Sequence, residues 1–148
     1  MTQTITLLTC AEIPDPIAED RLLLSQLQAL GFATQFVPWQ RLNGPEHLPG
    51  AVLVRTTWDY TQHLGEFLRS LRQLKKDRPL FNSLPLVEWN SSKGYLRDLE
   101  MEGVTIPLTF WYDHIQDVQA SMLWPAGSPN KKWILKPQIS ASARGTHL

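Results

Sequence analysis

Two hydrophobic periods organise the chain. Thr4 to Cys10 is an apolar run bounded by Pro14 and Pro16, which reads as a first strand. Asp15 stands where a helix N-cap belongs, with Pro16 at the first helical position. Leu23, Leu27 and Leu30 recur at helical spacing beside Leu24, and Gly31 supplies the stop. Ala33 to Val37 follows as a second strand, Asn43-Gly44-Pro45 as a loop, and Ala51 to Arg55 as a third strand. Val52, Leu53 and Val54 lack alternation, which suits a strand buried on both faces of a parallel sheet. Leu64, Phe67, Leu68, Leu71 and Leu74 form a helical stripe, with Arg72, Lys75 and Lys76 near its C-terminal end. Leu80 and Phe81 form a short fourth strand.

This strand–helix–strand–strand–helix–strand order is an α/β pattern, and it predicts a small Rossmann-like sheet over residues 1–83. The remainder, residues 84–148, has a different character. Pro85 to Asn90 reads as a helical turn. A helix capped by Ser91 and Ser92 runs through Tyr95, Leu96 and Leu99 to Gly103. Leu108 to Tyr112 is a strand with Pro107 at its edge, and Ile115 to Met122 a short helix. A loop over Pro125 to Asn130 leads to the strand Trp133 to Leu135. That strand runs into Lys136-Pro137 and a small, hydroxyl-rich stretch from Ser140 to Thr146.

Composition narrows the function classes. Hydrophobic residues make up 43% of the 148 and charged residues 19%, an ordinary globular balance. Fourteen basic residues against fourteen acidic ones give no electrostatic reason to expect nucleic acid or an anionic membrane as partner. One cysteine, Cys10, excludes an intramolecular disulfide and a cysteine-rich metal site. The opening residues lack the basic region of a signal peptide, and no run approaches the roughly 20 apolar residues that span a bilayer. These features together lead us to expect a cytoplasmic protein.

Four places carry candidate chemistry. Lys93 falls in the first turn of a predicted helix, where the helix dipole disfavours a cation unless an anion binds beside it. Lys136, at a strand end pinned by Pro137, is a point charge suited to phosphate. Ser140, Ala141, Ser142, Ala143, Arg144, Gly145 and Thr146 leave backbone N–H groups unobstructed and add three hydroxyls, as a phosphate-wrapping loop requires. Arg55, Trp58, Asp59 and Tyr60 follow the third strand, at the sheet end where open α/β folds bind ligands. There Arg55 can hold a carboxylate by its fork, with the aromatics as a wall. Each has a structural alternative: a solvated lysine, an edge-strand lysine, an ordinary hairpin turn, and an Arg–Asp pair with core aromatics. Neither a Walker A loop nor a Gly-x-Gly-x-x-Gly fingerprint occurs, and the four histidines form no zinc pattern.

The order of these segments resembles that of ATP-grasp ligases of the glutathione-synthetase-like and cycloserine-forming kind. The segments are Arg55–Tyr60, Asn90-Ser91-Ser92-Lys93, Gly103–Thr109, and Ile134-Leu135-Lys136-Pro137 with Ser140–Thr146. The resemblance implies a Rossmann-like pre-ATP-grasp domain followed by an incomplete small lobe. It makes Lys93 and Lys136 ATP-binding, Ser140–Thr146 the loop over the β- and γ-phosphates, and Arg55–Tyr60 a substrate-facing segment. The implied cofactors are ATP and Mg²⁺, and the implied substrates a small carboxylate and an amine joined through an acyl phosphate. In such ligases the adenine hinge and the metal ligands follow the loop. Only His147 and Leu148 follow it here. Asp98, Glu100 and Glu102 read as solvent-facing, so no metal ligand is assigned. The expectation is the N-terminal part of a ligase, inactive alone, served by a partner chain or a homo-oligomer. A non-catalytic remnant or a small-molecule binding module is the alternative. A further expectation is that Trp133–Leu135 lacks a hairpin partner, leaving the chain poorly ordered beyond about residue 125 and prone to aggregate.

Overall fold

A computed structural model describes residues 3–43, 48–114 and 133–147. They form two compact units, residues 1–91 and 92–148.

In the first unit, β1 (Thr4–Thr9), β2 (Ala33–Pro38), β3 (Ala51–Thr56) and β4 (Leu80–Phe81) form one parallel sheet in the order β2-β1-β3-β4. β1 is central and buried on both faces, so Thr6, Leu7, Leu8 and Thr9 are all sealed from solvent. That explains why its only polar positions are threonines, whose hydroxyls can be satisfied inside the protein. The Thr6 hydroxyl donates to the Pro49 carbonyl at 3.2 Å and accepts from Gln35 Nε2 at 2.8 Å, so its burial leaves no polar group unpaired. Helix α1 (Ala18–Ala29) joins β1 to β2, and α2 (Leu64–Lys75) joins β3 to β4. On one face, Leu8, Val37 and Val54 line up across the strands and pack with Phe67 and Leu71 of α2. Burial of side chains of this size stabilises by about 1.5–3 kcal/mol each. Helix α3 (Leu84–Asn90) adds Leu84 and Val87 to the same core, and Arg72 of α2 reaches Glu88 of α3 at 2.7 Å.

Gly50, just before β3, has φ +70°, and a Cβ there would lie 1.9 Å from the Thr4 carbonyl oxygen. Glycine is required at that point by both conformation and space.

Several expectations are corrected. Helix α1 begins at Ala18, with Ile17 and not Asp15 at its N-cap, because the Asp20 carboxylate turns back to accept the Ile17 N–H at 3.2 Å. Leu30 lies past the end of α1 and is exposed. The single helix foreseen from Ser91 to Gly103 starts later, as α4 (Tyr95–Met101), so Lys93 sits in the preceding turn. Residues 104–112 are irregular. A strand there needs a neighbour to complete its ladder, and among the described residues it pairs with none. Pro107 also removes a donor. Leu135 is partnered after all: it exchanges two 2.9 Å backbone hydrogen bonds with His147 in an antiparallel bridge. The helix and loop expected between residues 115 and 130 lie outside the described residues. Among the described residues no helix is long and apolar enough to cross a membrane.

Candidate functional site

The first unit gathers its polar groups at the carboxyl ends of β1 and β3. The strand order reverses between these two strands, and parallel sheets bind ligands at such a reversal. A register shift between Leu8 and Thr9 places Thr9 opposite Thr56, whose hydroxyl donates to that of Thr9 at 3.0 Å. The Thr9 hydroxyl in turn donates to the Ile13 carbonyl, closing the loop that leaves β1.

Asp59 is buried in the 3₁₀ turn Trp58–Gln62. Its Oδ1 accepts from the indole N–H of Trp39 at 2.6 Å, and its Oδ2 accepts from Gln40 Nε2. Gln40 Oε1 accepts the Ala11 N–H at 3.2 Å. One carboxylate thus ties together the segments that follow β1, β2 and β3. Tyr60 stacks on Phe67 with centroids 5.4 Å apart, and Trp39 meets the same ring edge-on at 5.3 Å. Trp58 stays 44% exposed.

Arg55 lies on the opposite face from Val54 and reaches α1, where its Nε donates to Asp20 Oδ1 at 2.7 Å. Asp20 is fully buried. Its two oxygens therefore have separate duties, one on the Ile17 N–H and one on Arg55. Of the four residues expected to face substrate, Asp59 and Tyr60 engage internal groups, Arg55 engages one through a single nitrogen, and Trp58 is turned outward. Sequence reading missed Asp20, Trp39 and Gln40. The capping-box signal that would point to Asp20 needs Ser or Thr at the N-cap, where this chain has Ile17, and Asp15-Pro16 offered a competing helix start.

A groove of about 710 Å³ lies at the other, amino-terminal end of the strands, lined by Ile5, Phe32, Pro49, Ala51, Pro79 and Phe81 among others. It includes none of the candidate residues.

The second unit brings Lys93 to the loop. Its backbone N–H donates to the Gln138 carbonyl at 2.8 Å. Its ammonium donates to the carbonyl of Ser140 at 3.3 Å and to the hydroxyl of the same residue. Burial holds the Lys93 pKa below its ordinary value, and the positive charge of Lys136 lowers it further. The two lysines are thus close enough to repel each other. A site built this way favours a multiply charged anion, which relieves the repulsion.

Leu135 and His147 close the segment between them into a hairpin, the form that a phosphate loop and a plain turn share. Arg144 N–H donates to the Ala141 carbonyl and Thr146 N–H to that of Ala143, both at 3.0 Å. Ser142 and Ala143, the central residues of the first turn, have φ of +51° and +58°. That sign pattern ordinarily selects Asn-Gly, and each L-residue there costs about 1–2 kcal/mol. Gly145 follows at φ +69°. Among the described residues, the N–H groups of Ala141, Ser142, Ala143 and Gly145 donate to no protein acceptor. Strained backbone of this kind concentrates where a loop must present its amides to a ligand. No group of three or more His, Cys, Asp or Glu side chains converges among the described residues.

Comparison with known proteins places the chain. The family model for the N-terminal domain of the D-cycloserine synthetase DcsG matches residues 5–82, just over half of the chain. The cycloserine biosynthesis protein DcsG of Streptomyces lavendulae is 30% identical over 88 residues, which is 59% of this chain and 29% of that protein. The crystal structure of D-cycloserine synthetase DcsG superposes with a TM-score of 0.61 at 28% identity, covering 70% of this chain and 35% of that one. The chain therefore spans about a third of the length of the relatives it matches. With more than half of the chain matched, and all four strands of the parallel sheet drawn from the matched segment, the chain belongs to the family of the DcsG N-terminal domain.

Proposed function

We propose that the chain is the front part of an ATP-dependent ligase of the ATP-grasp kind. In this reading the first unit is a Rossmann-like domain that presents an acceptor substrate, and the second is part of the lobe that grips ATP phosphates. The observation that carries it is the meeting of Lys93, Lys136 and the loop 140–146, with two cations in mutual repulsion beside N–H groups that have no acceptor among the described residues. The structural match supports it too, since the covered 70% exceeds what the first unit alone can supply. Bound ATP would bring the γ-phosphoryl group that activates a carboxylate. Lys93 and Lys136 would neutralise phosphate charge, and the loop amides would hold phosphate oxygens in place. The described residues offer no oxygen cage for Mg²⁺, and no step is assigned to the metal.

Titration of the full chain with Mg-ATP, followed by amide NMR, tests the reading. Saturable shifts at residues 140–146 are expected, with a Kd on the order of 1 mM because a third of a ligase offers few contacts. Lys93→Met and Lys136→Met should each weaken binding about tenfold or more. Shifts that never saturate, or that persist unchanged in both variants, refute it.

A further inference from the structure

Arg55 stands beside the sheet reversal, on the penultimate residue of β3. Its ion pair with Asp20 uses Nε alone. Among the described residues neither terminal nitrogen has a partner. The guanidinium is therefore fixed by one edge and open along the other. Its side chain keeps 38% of its surface, while Asp20 keeps none. A buried carboxylate that also caps α1 cannot swing away without losing the Ile17 N–H, so it is a rigid anchor for the arginine. What remains is a planar pair of N–H donors whose spacing matches the two oxygens of a carboxylate.

We infer that Arg55 is the receptor for a substrate carboxylate, that the bond forms through its two terminal nitrogens, and that Asp20 is the positioning residue that aims them. This deepens the acceptor assignment of the first unit and rests on it. The ligand class is a small carboxylic acid or amino acid with its carboxylate left free to pair. Arrangement, more than charge, carries the specificity. A lysine at this position keeps the charge but has no fork.

The test uses the full chain and the NMR signal of the Arg55 Nε–H, with sodium acetate as probe against sodium chloride at equal ionic strength. Acetate should move the Arg55 signal and the Thr56 amide saturably, and chloride should not. Arg55→Lys should weaken acetate binding at least tenfold at the Thr56 amide, while ATP-induced shifts at residues 140–146 stay as they were. Asp20→Asn should speed exchange of the Arg55 Nε–H and weaken acetate binding several-fold. If that variant fails to fold, the wild-type and Arg55→Lys titrations decide alone. Equal responses to acetate and chloride, or full acetate affinity in Arg55→Lys, overturn the inference. So does inorganic phosphate saturating the same signals at lower concentration than acetate. A chain that binds acetate through Arg55 but fails to bind ATP upholds this inference and sinks the nucleotide reading, so the two failures are distinct.

Discussion

Replacing Asp59 by asparagine removes one acceptor from a network in which every member has a fixed role. The carboxylate now serves two donors, Trp39 Nε1 at 2.6 Å and Gln40 Nε2. An asparagine keeps one oxygen and turns an NH₂ toward the second donor. If the oxygen stays with Trp39, the new amide nitrogen and that of Gln40 oppose each other as donor against donor. Gln40 cannot simply flip, since its Oε1 holds the Ala11 N–H at 3.2 Å. A hydrogen bond to a charged acceptor contributes about 1.5–3 kcal/mol. Gln40 is exposed and can turn to water, which places the expected loss toward the lower end of that range. Asp59→Ala is costlier by at least about 1 kcal/mol, because Trp39, only 2% exposed, then has a buried N–H without an acceptor. Native-state hydrogen exchange at the central amides of Leu7 and Leu8 reads the stability of the first unit without interference from the second. The Ala11 amide should lose protection further, through local opening. A double-mutant cycle with Trp39→Phe isolates the indole bond, and a coupling of about 1 kcal/mol or more is expected. Stability of Asp59→Asn within about 0.5 kcal/mol of the parent, typical of an inert surface change, would show that the network does not hold these segments together.

Two further outcomes follow from single residues. Gly50→Ala should destabilise the first unit by more than about 4 kcal/mol, since the new Cβ meets the Thr4 carbonyl and φ +70° is strained for alanine; a thermal melt at parental Tm refutes this. Lys136→Gln should raise the Lys93 pKa part of the way back toward 10.5, the share due to burial remaining, as read from the pH titration of the Lys93 side-chain carbon. The sign for stability runs with it. Because the folded pKa is the lower one, the penalty for charging Lys93 is complete below that value and disappears as pH rises to about 10.5. The second unit should therefore gain stability across that window, and gain less of it in Lys136→Gln.

The hydrophobic pattern by itself determined the parallel sheet. The apolar run Val52 to Val54 marked β3, although only Val52 and Val54 enter the core and Leu53 between them is partly buried, and the Phe67 and Leu71 stripe marked the face of α2 that meets Leu8 and Val54. Such signals are legible because they repeat within a few residues. The start of α1 was misread for the opposite reason: Asp15-Pro16 is a sound local signal, but Asp20 is held by Arg55, 35 positions away. Likewise the sequence singled out Lys93 and Ser140 without showing that they touch across 47 positions. It placed Asp59 and Tyr60 toward a ligand, whereas the fold gives Asp59 to Trp39 and Gln40 and stacks Tyr60 on Phe67. A side chain's residue type fixes what it can bind. Which partner it meets is a matter of distance through space, and only the tertiary structure decided that.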